Sequence, residues 1–178
     1  MAEAFSIKGS SLRSKLDYLR EVHGKAAAEE LKGWLREKGV VLLLVSDWYP
    51  HELYTQLNER IAERFFGNNL KRLREVGVFS AERALSSVYK AYVEKGDFEA
   101  FLRRIASLHQ RFFNRGAMEV RASPRSCEIL LSGAPVYPEA DMQIAAGFYI
   151  GAARNFGLEN PVCDIRLGGK TASFLLRW

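Results

Sequence analysis

The 178-residue chain has two cysteines, five prolines, three histidines and no hydrophobic run longer than Val40-Val41-Leu42-Leu43-Leu44-Val45. Cys127 and Cys163 are too few and too far apart for a disulfide scaffold or a C-x-x-C zinc knuckle, and they fit a reducing, cytoplasmic setting. The six-residue apolar run falls far short of the roughly 20 residues that span a bilayer, so no membrane span is expected. Met1 to Lys8 lacks the charged and apolar regions of a secretory signal. Fourteen glycines and five prolines without a period exclude a collagenous or low-complexity chain. No G-x-S-x-G, H-E-x-x-H, Walker loop or G-x-G-x-x-G following a strand is present, so no enzyme is expected.

What is present is a 48% hydrophobic, 26% charged, 12% aromatic chain, the profile of one globular domain over residues 1–178. Its net charge of +5 divides into +6 for residues 1–125 and −1 for 126–178. The basic residues alternate with acids, as in Arg36-Glu37-Lys38 and Arg72-Leu73-Arg74-Glu75, which describes solvated helix faces and predicts no nucleic-acid partner.

Residues 1–116 read as helical. Ser10 or Ser11 is placed to cap a helix carrying Leu12, Leu16, Leu19 and Val22 and ending at Gly24; a second runs from Ala26 to Gly39. The 40–45 run reads equally as a buried strand or a buried helical turn. Trp48-Tyr49-Pro50 opens a third helix with proline in its first turn. A short helix from Leu70 ends at Gly77, and Ser80 starts another bearing Leu85, Val88, Tyr89 and Tyr92. Asp97 caps the most amphipathic segment, with Phe98, Phe101, Leu102, Ile105, Leu108, His109 and Phe112 on one stripe. Residues 117–178 then read β-β-α-β-β: strands over 118–122 and 127–131, a helix over 138–156 rich in small residues, and a hairpin turning at Gly168-Gly169. The fold class is α+β.

His23 sits at a helix C-terminus, where its charge suits the dipole, and His51 is expected to be exposed in a first turn. His109 falls on or beside the apolar stripe, either as a core-edge histidine or as an axial metal ligand held neutral in an apolar pocket.

Phe101-Leu102-Arg103-Arg104-Ile105-Ala106-Ser107-Leu108-His109, followed by a strand pair and a helix with spaced glycines, resembles the proximal-helix region of heme nitric oxide/oxygen binding (H-NOX) domains. The last third, from Gly147 to Trp178, is similar in layout to 4-vinyl reductase domains and TRAPP-type trafficking subunits, which share that fold. Lys8-Gly9-Ser10, Trp48-Tyr49-Pro50, Gly77-Val78-Phe79-Ser80-Ala81 and Arg177-Trp178 together resemble the pattern of an uncharacterised bacterial family. The H-NOX resemblance implies heme with His109 as axial ligand. The family's Tyr-x-Ser-x-Arg signature, which grips the heme propionates, falls here on Leu130-Leu131-Ser132-Gly133-Ala134, and the vinyl-reductase hairpin cysteines are reduced to Cys163. The chain is therefore expected to be a non-enzymatic sensory or regulatory domain without cofactor, binding a small hydrophobic ligand between helices and sheet. Tyr89, Tyr92, Phe101, Leu102, Ile105, His109 and Phe112 are its expected lining, with a plainly filled core the equal alternative. A heme-based gas sensor and a protein-interaction module, with a protein partner or as a homodimer, are the other readings.

Overall fold

The structure, a computed structural model, describes residues 4–87 and 89–178, with Lys95 described by its backbone. Val88 and residues 1–3, on which the reading of the N-terminus partly rests, therefore lie outside the described residues.

The chain opens with β1 (Ser6–Lys8) and α1 (Gly9–Tyr18), which starts before the expected serine cap, with Lys8 as N-cap. A π-helical turn over Leu19–His23 ends at Gly24, whose φ of +89° only glycine adopts readily. The wider turn rotates the stripe, so Leu19 is buried and Val22 exposed. Next comes α2 (Lys25–Glu37). The 40–45 run is neither strand nor helix; it is a loop exposing Val41 (81%) and Leu42 (70%). Trp48–Pro50 is β2, pairing antiparallel with β1, and Pro50 stands as N-cap of α3 (His51–Phe66) rather than inside it. Proline ends an edge strand and enters a helix at no hydrogen-bond loss, so both roles fit one residue.

A 3-10 turn at Leu70–Arg72 leads into α4 (Leu73–Leu85), which runs unbroken through Gly77 and Ser80. Gly77 is not a helix break. It is the place where α4 meets α8 (Glu139–Asn155) backbone to backbone. After α5 (Lys90–Lys95), the amphipathic segment divides at Leu108 into α6 (Phe98–Ser107) and the single turn α7 (His109–Phe112), which leaves Phe112 exposed. Asp97 caps α6 as expected, accepting from the Ala100 N–H at 2.8 Å. Asp97→Ala is expected to lower stability by about 1 kcal/mol in chemical denaturation.

β3 (Ala117–Ser123), β4 (Ser126–Ser132), β5 (Val162–Gly168) and β6 (Thr171–Arg177) form an antiparallel sheet in the order β3-β4-β6-β5. The alternation seen in the sequence sets the register: Cys127, Ile129 and Leu131 of β4 oppose Leu176, Phe174 and Ala172 of β6, all on the buried face. The fold is α+β, N-terminal helices followed by β-β-α-β-β, as the sequence implies. Two clusters of buried side chains result, one among α1, α2 and α3 and one between α6, α8 and the sheet; α8 contributes Ala140 and Ile144 to the first and Ala146, Tyr149 and Ile150 to the second. Among the described residues no helix is long and apolar enough to cross a membrane.

Candidate functional site

Where the two clusters meet, a cavity of about 350 Å³ opens beside α8. Its far end is apolar: Ile105 of α6, Met118 of β3, Leu131 of β4, and Met142, Phe148 and Tyr149 of α8. Its near end is polar, because α1 presents Ser10, Ser11, Ser14 and Lys15 there while α3 presents His51 and Tyr54. The helical repeat explains the division. Leu12, Leu16 and Leu19 point into the first cluster, and the adjoining face, four residues from turn to turn, is hydroxylated.

Asp141 anchors the polar end from the first turn of α8, where a carboxylate suits the helix dipole. The Asn58 amide donates to its Oδ1 at 2.7 Å, the Thr55 hydroxyl donates to its Oδ2 at 2.7 Å, and His51 Nε2 lies 3.3 Å from Oδ2. His51 and Asp141 are 4% and 3% exposed. The expectation of an exposed His51 is thus corrected: its ring is buried, stacked on Phe5 at 4.1 Å between centroids. Desolvation pushes the Asp141 carboxyl up to about 7 against its two donors and Lys15, and pushes the His51 imidazole down to about 4. His51 and Asp141 are therefore a neutral ring against a carboxyl group, not an ion pair. Among the described residues the Ser14 hydroxyl donates to the Ser11 carbonyl and the Ser80 hydroxyl to the Val76 carbonyl, and no serine hydroxyl hydrogen-bonds His51.

Lys15 is 3% exposed. Burial lowers its ammonium to about 8, with Asp141 pulling the other way. Nζ donates to Ser14 Oγ at 3.3 Å and lies 5.1 Å from the centre of the Tyr54 ring.

Of the residues expected to line a pocket, Tyr89, Ile105, His109 and Phe112 do so; Tyr92, Phe101 and Leu102 are not on its wall. Phe101 packs against Tyr89, Phe98 and Phe156 and Leu102 is buried in the same cluster, so only the C-terminal part of the stripe, from Ile105 onward, reaches the cavity. His109 stacks on Phe113 at 4.8 Å, and its Nε2 edge lies against Gly116, 3.3 Å from where a Cβ would stand. Burial lowers its pKa, and a hydrogen bond donated to the Arg115 carbonyl opposes that. Sequence reasoning missed Lys15, Asp141, Thr55 and Asn58. The signal for Lys15 was there: it interrupts the buried stripe Leu12, Leu16, Leu19 at the Leu12 i+3 position.

These residues do not fit heme. Among the described residues two propionates would share one cavity-lining cation, Lys15, which already stands beside Asp141, and the segment aligned with the propionate signature has apolar Leu130 and Ala134 at the tyrosine and arginine positions. The His109 ring is turned to its own loop. Among the described residues no group of three or more His, Cys, Asp or Glu could hold a metal ion.

Helices on one side, a four-stranded antiparallel sheet with its crossing helix on the other and a cavity between them define an H-NOX fold. The chain is similar over 96% of both chains to the Fe(II) unliganded H-NOX protein from K. algicida (TM-score 0.67, 14% identity). It is similar over 96% of its length and 98% of the other chain to the H-NOX protein from S. oneidensis in the Fe(II)NO ligation state (TM-score 0.67, 15% identity). It is also similar to a Cs H-NOX mutant carrying the unnatural amino acid 4-cyano-L-phenylalanine, at TM-score 0.70 and 13% identity over 96% of both chains. No protein-family profile matches the sequence, and no curated protein matches it. At these identities the likeness establishes the fold.

Proposed function

We propose that the chain is a non-enzymatic sensory or regulatory domain that binds a small, largely apolar ligand between its helices and its sheet. The observation that carries this is the 350 Å³ cavity, within the size range of ligand sites and walled mainly by apolar side chains with a few fixed polar groups. Its walls come from α1, α3, α4, α6, α7, α8 and the sheet, so occupancy would be felt by both clusters at once. Cys127 and Cys163 are buried thiols that desolvation pushes up to about 11 and about 12, which suits packing rather than reaction.

Ala145→Trp, which places an indole in the cavity from α8, tests the reading. An environment-sensitive dye is expected to bind the wild type at least about tenfold more tightly than the variant, with unchanged far-UV circular dichroism. Equal dye binding would remove the cavity reading. A Soret band in freshly purified protein that disappears in His109→Ala would put the heme sensor in its place.

One observation favours a second reading, an interaction module or homodimer. The loop from Val40 to Trp48 exposes Val41, Leu42, Leu44, Val45 and Trp48 together, a contiguous apolar stretch of the kind that marks protein contacts. Sedimentation equilibrium of the wild type and of Leu42→Asp distinguishes the two; a monomer in both leaves the ligand-binding reading alone.

A further inference from the structure

Resting on the cavity reading, we propose that Lys15 is a carboxylate anchor and that the ligand is a monocarboxylate with an apolar body. Its head would lie at Ser11 and Lys15, and its body would point toward Ile105, Met118 and Leu131.

A lysine ammonium carries three donors, and a buried one needs acceptors or a counter-charge. Lys15 Nζ has a single long bond, 3.3 Å to Ser14 Oγ, and among the described residues no carboxylate lies within ion-pair distance of it. Asp141, the acid whose charge reaches it, has both oxygens engaged by Asn58, Thr55 and the His51 edge. The fold thus surrounds Asp141 with its own donors and leaves the ammonium, which lines the same cavity, with unmet ones.

Charge then selects the head group. With Asp141's oxygens taken by Asn58, Thr55 and the His51 edge, the one ammonium can receive one carboxylate, and a doubly charged phosphate would bring more negative charge than it can balance. An alcohol or amide would leave the ammonium without a carboxylate at ion-pair distance. Size sets the body. At about 30 Å³ per non-hydrogen atom, the share of a water molecule in the liquid, 350 Å³ holds roughly a dozen non-hydrogen atoms, as in decanoate.

The experiment measures binding of decanoate, 1-decanol and decyltrimethylammonium to the full chain by displacement of a fluorescent probe. Decanoate is expected to bind the wild type at least about tenfold more tightly than decanol, and the decyl cation not at all. Lys15→Met is expected to weaken decanoate on the order of 10- to 100-fold, the range for a charge-assisted hydrogen bond, and to leave decanol unchanged. The carboxyl resonance of bound [1-13C]decanoate is expected to titrate at lower pH than that of the free ligand. This readout needs no variant, so the proposal stays testable if Lys15→Met does not fold. Equal affinity for decanoate and decanol, or a carboxyl titration that is unchanged or raised, overturns the anchor and leaves the apolar cavity standing. No binding of either compound overturns both.

Discussion

Gly147→Ala is expected to destabilise the chain by about 3 kcal/mol or more, or to prevent folding. A Cβ at Gly147 would stand 2.1 Å from the Arg74 carbonyl oxygen and 2.6 Å from its Cα. From the other side, a Cβ at Gly77 would stand 2.0 Å from the Ile144 carbonyl oxygen and 2.6 Å from the Phe148 nitrogen. All of these are backbone atoms of helices, which cannot swing aside as a side chain does. The two helices would have to separate, and with them the seam between the two buried clusters that α8 joins. Helix propensity acts in the opposite direction, since alanine exceeds glycine by about 1 kcal/mol in a helix interior, so the contact decides the sign. Gly33 in α2 supplies the control: nothing lies within 4 Å of its Cβ position, and Gly33→Ala is expected to stabilise by about 0.5–1 kcal/mol. For a chain of this size the first change corresponds to a Tm lowered by roughly 6–12 °C. A Tm for Gly147→Ala within a degree or two of wild type would mean that the crossing is looser than described.

Lys15→Met is expected to make the protein more stable at pH 7, by about 3 kcal/mol, and this advantage is expected to fade above pH 8. The folded-state pKa of Lys15 is about 8, against 10.5 for an ordinary lysine. Below pH 8 the ammonium is charged folded and unfolded, and its burial opposes folding in full. Between pH 8 and 10.5 the unfolded chain binds more protons at this site than the folded one, so the wild type gains stability with rising pH while methionine has nothing to gain. Cys127, Cys163, Tyr54 and Tyr149, whose pKa values burial raises, act in the opposite direction over the same alkaline range. They are common to both chains, so the difference between the two unfolding free energies isolates Lys15. Asp141 and His51 govern the acid side. The carboxyl, raised to about 7, makes stability fall as pH rises from about 4 to 7, and the imidazole, lowered to about 4, makes it rise between about 4 and 6.5. The two largely cancel. Urea unfolding of both chains at pH 7, 8, 9 and 10 reads the result, and a Lys15→Met chain less stable than wild type at pH 7 would contradict it. A residue that weakens the fold at neutral pH yet lines the cavity is what a site maintained for binding looks like.

The four strands of the larger sheet, their second hairpin and the long helix α8 were legible to within about a residue at their ends, because a half-buried strand writes its two faces as alternation and a cap writes itself as Asp97 before an apolar stripe. The misreadings share one cause, that local pattern does not say what an element packs against. Gly77 reads as punctuation until α8 lies across it. The apolar run at 40–45 reads as buried until no element covers it. Trp48 to Pro50 reads as a helix start until β1 pairs with it over a sequence separation of about 40 residues. Among candidate site residues, Ile105 and His109 follow from helical spacing along α6 and its continuation. Phe101 and Leu102 were assigned to the wall by the same spacing and lie in the core, since one stripe cannot tell the half that faces side chains from the half that faces space.

The sequence by itself determined the α+β class, the β-β-α-β-β order and the divided charge, all of which depend on residues near one another in the chain. Only the tertiary structure decided that Lys15, His51 and Asp141, separated by up to about 126 positions, meet at one end of a cavity. Burial then gives three ordinary ionisable groups their unusual proton affinities, and burial is a property of the assembled fold rather than of any segment.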